Sequence, residues 1–104
     1  MKKKIQQAYR FDEHLKEKMK NRPWSKAYQK GRKALLLAYR IQCLREGLGL
    51  TQADLARRMK TSQQAISRLE SGQHEGFTLR TLEKLAQAMD VELVLDFRKK
   101  ARAV

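Results

Sequence analysis

Within seven consecutive positions lie Ser62, Gln63, Gln64, Ser67 and Arg68, five side chains able to read a hydrogen-bond pattern. On a helix starting after Ser62 they share one outward face. A glutamine amide donates and accepts at once, so it pairs bidentately with an adenine edge, as arginine does with guanine; each such pair is worth roughly 1–3 kcal/mol of discrimination. Taken alone, the same residues also fit a solvated helix face. No comparable cluster points to catalysis or metal binding. One cysteine, Cys43, and two distant histidines, His14 and His74, do not make a zinc site of the usual kind. There is no glycine-rich phosphate loop and no nucleophile motif, so no enzyme activity, catalytic residue, metal or cofactor is expected.

Charge narrows the class of partner. The 104 residues carry 24 Lys+Arg against 11 Asp+Glu, a net of +13. Such an excess on a small domain points to a polyanion, with nucleic acid the default. Residues 1–34 hold 12 basic and 3 acidic side chains, so the charge is concentrated at the start. With 41% hydrophobic and 34% charged residues, the composition suits one small core. The longest apolar run, Ala34–Ala38, is far short of the 18 or so residues of a membrane span. Met1-Lys2-Lys3-Lys4 is followed by Ile5-Gln6-Gln7 and not by an apolar stretch, so no secretory signal is expected. The lone cysteine suits a reducing compartment, and a cytoplasmic protein with no membrane partner is expected.

The elements that must position this face read as almost entirely helical. Ala8, Phe11, Leu15 and Met19 form a stripe over residues 5–20. Asn21-Arg22-Pro23 breaks it, and Pro23 opens a new helix with Trp24, Ala27 and Tyr28 on one face. A helix from Lys33 to Glu46 is expected to turn Leu37, Ile41 and Leu44 inward, with Gly47 and Gly49 ending it. Thr51, with Asp54 three residues on, has the form of a capping box for Gln52–Met59, whose inner residues are Leu55, Ala56 and Met59. Lys60-Thr61 makes a short turn. Ser62 caps Gln63–Glu70, with Ile66 and Leu69 inward, and Ser71-Gly72 stops it. After the loop Gln73–Phe77, Thr78 caps a helix with the stripe Leu79, Leu82, Leu85, Ala86 and Met89. Then the period changes: Val91, Leu93, Leu95 and Phe97 alternate as on one side of a β-strand. Four parts follow: an arm at 1–32, a helical domain at 33–90, a strand at 91–97 and a basic tail at 98–104.

Two short helices joined by a tight turn form a helix-turn-helix. The run Leu50-Thr51-Gln52-Ala53-Asp54-Leu55-Ala56, followed by Ser62-Gln63-Gln64-Ala65-Ile66-Ser67-Arg68-Leu69-Glu70-Ser71-Gly72, resembles the Cro/repressor class (XRE family) over roughly residues 35–90. The resemblance implies an all-α phage-repressor bundle in which Ala56 is small because two helices cross there and Ile66 fills the gap between them. It implies base contacts from Ser62, Gln63, Gln64, Ser67 and Arg68. Gln52 would contact phosphate at a helix start, and Thr51, Arg58 and Ser71 complete the expected phosphate set. It pairs Arg45 with Glu70 as a partly buried structural ion pair, and leaves Asp54 a cap and Glu83 a solvated residue. Lys60 stands where a turn glycine is common, so a left-handed backbone is expected there. The loop Gln73–Phe77 lacks the family's basic residues and proline.

A lone strand needs a partner. Pairing of Val91, Leu93, Leu95 and Phe97 with the same strand of a second copy would give a homodimer, which suits a palindromic double-stranded operator read at two half-sites roughly 34 Å apart; pairing with another protein or with the N-terminal region is the alternative. The arm carries Phe11, Leu15, Met19, Trp24 and Tyr28, a stripe of the kind that covers a partner. Its pattern Leu15-Lys16 … Asn21-Arg22-Pro23-Trp24-Ser25-Lys26-Ala27-Tyr28 resembles HigA-type antitoxins, and so implies a repressor that also neutralises a small protein toxin through those five residues. The alternatives are packing of the arm on its own domain, a solitary phage- or plasmid-type regulator with the arm on DNA, and a basic RNA- or membrane-surface binder.

Overall fold

Most of the helices begin at a residue whose side chain closes the first turn. In a computed structural model, which describes residues 11–30, 33–72 and 76–101, there are six helices: α1 Phe11–Lys18, α2 Arg22–Gln29, α3 Lys33–Gly47, α4 Gln52–Arg58, α5 Gln63–Glu70 and α6 Leu79–Ala88. Asn21 Oδ1 accepts from the Trp24 N–H at 3.0 Å. Thr51 Oγ1 accepts from the Asp54 N–H at 3.0 Å while Asp54 Oδ2 accepts from the Thr51 N–H at 2.9 Å, a closed capping box. Ser62 and Thr78 cap α5 and α6 in the same way, at 3.1 Å each. Each cap contributes on the order of 1 kcal/mol.

Three helices stop through one device. Gly49, Lys60 and Asp90 adopt positive φ (74°, 56° and 56°) just past α3, α4 and α6. Behind them Leu50, Thr61 and Val91 donate their N–H back to Arg45, Ala56 and Ala86 at 3.1, 2.9 and 2.9 Å. These bonds satisfy end carbonyls that the helices leave open. Lys60 thus has the left-handed backbone expected of it, and its bond geometry fixes the tight turn from α4 into α5.

Helices this short hold only through packing. Ile41, Leu55, Ala56, Ile66, Leu69, Leu85 and Met89 form the buried cluster. Helix α4 lies against α5, α5 against α3, and α1 and α2 against α3. Ala56 and Ile66 are both buried where α4 meets α5.

In α3 Ile41 is buried and Leu37 and Leu44, half-buried, pack inward against the core cluster as expected; Leu35, Ala38 and Arg45 are buried too, because α3 is covered both by α5 and by α1–α2. Two expectations are corrected. The strand expected at 91–97 is absent: no strand occurs among the described residues. A strand is defined by its ladder, and no described segment offers one. The four expected strand residues also divide. Val91 and Leu93 are half-buried against α3 and α6, whereas Leu95 and Phe97 are exposed. Leu79, expected in the α6 stripe, is exposed as well. Residues 5–10 of the expected first helix, Gln73–Glu75 of the loop and the last three of the tail lie outside the described residues.

Candidate nucleic-acid interface

Helix α5 is locked from behind and open in front. Its inward residues Ile66 and Leu69 are buried. At its end, Glu70 accepts from Arg45 Nε at 2.6 Å and from Arg45 Nη2 at 2.9 Å. The same guanidinium donates through Nη1 to the Leu50 carbonyl at 2.7 Å, and Gln52 Nε2 donates to Glu70 at 3.2 Å. One buried carboxylate therefore fastens α5 to α3 and to the start of α4. The arrangement also answers a helix-dipole problem: a carboxylate at a helix C-terminus is unfavourable until a cation faces it. The hydrogen bond to Glu70 raises the Arg45 pKa above its ordinary value, against the opposing effect of burial, so the guanidinium stays charged.

In front, Ser62, Gln63, Gln64, Ser67 and Arg68 are all exposed. The Ser62 hydroxyl is engaged as the cap of α5. The residues meant to read bases thus stand together on one helix, with Arg68 at its last turn.

The expected phosphate contacts are spread differently. Thr51 is held in the capping box, and Asp54 beside it is an anion whose pKa is lowered first by the hydrogen bond from the Thr51 N–H. Gln52 is half-buried and donates to Glu70. Arg58 is exposed but donates Nη1 to the Ala88 carbonyl at 3.1 Å, which ties α4 to the end of α6. Ser71 is exposed and donates Oγ to the Arg68 carbonyl at 2.8 Å. Only Gln52 is drawn to the Arg45–Glu70 pair. Two lysines outside the expected contact set, Lys60 and Lys84, border a cleft of about 340 Å³ between α5 and α6 together with Arg68. They are 24 positions apart, so no local pattern joins them.

The arm is docked on the domain. Tyr39 of α3 is its anchor: the Phe11 ring lies 5.8 Å from it and the Trp24 ring 5.5 Å, edge-on. Trp24 stacks on Tyr28 at 5.5 Å. Lys18 Nζ sits 5.3 Å from the Tyr39 ring centre and the Arg40 guanidinium 4.3 Å from that of Phe11, both cation–π distances. Tyr39 Oη donates to the His14 carbonyl at 3.0 Å. Burial, and then its hydrogen bond with Cys43, push the Tyr39 pKa up to about 12. Burial pushes Cys43 up too, which makes its thiol less reactive. Phe11, Leu15, Met19, Trp24 and Tyr28 all remain half-buried, and neither α1 nor α2 has a fully buried residue.

Among the described residues no group of His, Cys, Asp and Glu could hold a metal ion, and no helix is long and apolar enough to cross a membrane. A family model described as helix-turn-helix matches residues 41–95, just over half of the chain. The matched stretch runs from the second half of α3 past α6, and leaves α1 and α2 outside. No curated protein and no solved structure matched the chain.

Proposed function

The chain belongs to the helix-turn-helix family of DNA-binding transcriptional regulators, and we propose that it is a sequence-specific repressor that inserts α5 into the major groove of its operator and acts by binding, not by catalysis. The observation that carries this reading is the two-sided character of α5: an exposed polar face of Gln63, Gln64, Ser67 and Arg68 on a helix whose back is fixed by Ile66, Leu69 and Glu70. A helix held rigidly from behind presents its side chains on a backbone that need not be ordered at the moment of binding, so only the side chains themselves lose freedom. Gln63 and Gln64 read adenine, and Arg68 reads guanine. The remaining positive charge supplies the sequence-independent part of the affinity.

The reading includes a homodimer on a palindromic site. Leu95 and Phe97, 61% and 101% exposed, are large apolar side chains continuous with half-buried Leu93, and a second copy would cover them. Sedimentation of Leu93→Lys and Leu95→Lys tests this: monomers are expected, and an unchanged mass refutes it. DNA binding itself is tested by fluorescence anisotropy on duplexes tiling the DNA upstream of the gene. One tile should bind far more tightly than a random duplex, and uniform affinity across all tiles would count against a specific reader.

A second role, as an antitoxin, is supported by the arm. Its stripe stays half-exposed on the domain, so apolar surface is left for a partner, and the core cluster takes no residue from α1 or α2. Deleting residues 1–32 should leave a folded DNA binder that no longer co-purifies with the product of the adjacent reading frame. If the deletion instead abolishes DNA affinity, the arm serves DNA and the antitoxin role fails.

A further inference from the structure

A helix lying in the major groove has a sugar-phosphate backbone on each side of it, because the groove is only about 12 Å wide. The two flanks of α5 can be read from helical geometry. With 3.6 residues per turn, Gln63, Gln64 and Ser67 centre the outward face, Glu70 falls on one flank, and Ala65 and Arg68 fall toward the other. The Glu70 flank faces the start of α4, where Gln52 bonds Glu70. The opposite flank opens on the cleft bordered by Lys60 and Thr61 of the turn, Ala65 and Arg68 of α5, and Thr81 and Lys84 of α6. Lys60, Lys84 and Arg68 are exposed. An adjoining cleft shares Lys60 and Lys84 and adds Arg58. No carboxylate borders either cleft among the described residues. Three cations around one concave surface repel each other in the free protein, and an anion between them relieves this.

We propose that Lys60 and Lys84 seat a DNA backbone phosphate in the cleft between α5 and α6, on the flank of the recognition helix away from α4. The inference rests on the DNA-reading role of α5 and adds the second backbone contact that such docking requires. It places this contact on the turn and on α6. Arg68 bridges the two tasks, since it borders the cleft and also belongs to the outward face. Lys60 is held for this role by its left-handed backbone, and Lys84 by the middle of α6.

The test is the salt dependence of binding by the full chain, measured by anisotropy on a random duplex and on the tightest upstream duplex. Lys84→Gln and Lys60→Gln/Lys84→Gln are compared with the wild type, with melting curves as a folding control. Neutralising one phosphate contact lowers the slope of log K against log salt by about 0.9. The double variant is therefore expected to lose about one unit of slope and to weaken both duplexes by the same factor, roughly tenfold at low salt. Lys84→Gln alone, at an ordinary helical position, is expected to show part of the same loss. An unchanged slope in both variants overturns the phosphate seat, as does a loss confined to the upstream duplex. A wild-type chain that binds neither duplex overturns the DNA-reading role itself, so the two failures are distinct.

Discussion

Replacing Glu70 by alanine should cost more stability than any single change on the exposed face of α5. Glu70 and Arg45 side chains are 4% and 9% exposed, and two short hydrogen bonds join them. Removal of the carboxylate leaves a buried guanidinium with the Leu50 carbonyl and, at 3.6 Å, the Glu46 carboxylate, which is itself largely in solvent. Stranding one member of a buried pair costs about 3–5 kcal/mol. Domains of this size are stable by only about 5–15 kcal/mol in total. A loss of that order lowers Tm by more than ~10 °C at the usual 4–8 °C per kcal/mol for small domains. Urea unfolding followed by circular dichroism gives the free energy directly. The companion variant Arg45→Met/Glu70→Leu removes both charges and should recover to within about 1 kcal/mol of the wild type, since a packed apolar pair replaces a desolvated ionic one. The reasoning is refuted if Glu70→Ala loses less than about 1 kcal/mol, or if the double variant is less stable than the single one.

Gly72 has φ +80°, and a β-carbon there would overlap Leu35 Cδ1, so Gly72→Ala should cost roughly 1–3 kcal/mol; an unchanged Tm would show that Leu35 gives way freely. Tyr39 should ionise near pH 12, about two units above an ordinary tyrosine, in an ultraviolet titration, and Tyr39→Phe should remove that late step. Because the folded value is raised, stability is intact below pH 10 and declines as the pH climbs through 12. Asp54 has the opposite sign: its folded pKa lies below 3.8, so its contribution is present above that value and is lost as the pH falls through the folded one. Asp54→Asn should therefore flatten the acid limb of the stability curve below about pH 4, and an identical limb would show that the capping box carries no pH dependence.

How much could be read in advance depended on how local each feature is. The caps Asn21, Thr51, Ser62 and Thr78 act within three residues, so residue type and spacing reveal them. Asp90 uses the same left-handed exit as Lys60, yet only Lys60 sits in a motif that marks the position. The apolar run Ala34–Ala38 has no period to orient it, and α3 turned out to be covered on two sides, which hid the burial of Leu35 and Ala38. Alternation over Val91–Phe97 has the period of a strand, but a period does not supply a ladder partner. The bond from Arg58 to the Ala88 carbonyl joins residues thirty positions apart and exists only in three dimensions. The same holds for Lys60 and Lys84 across their shared cleft, and for the docking of Phe11 and Trp24 on Tyr39.

The most direct measurement compares Gln63→Ala and Gln64→Ala with the wild type on the tightest upstream duplex and on a random duplex of equal length, at one fixed salt concentration. If α5 reads bases, each substitution weakens the upstream duplex about 5- to 150-fold and leaves the random duplex within a factor of about two. Equal losses on both duplexes, or none on either, would contradict the account.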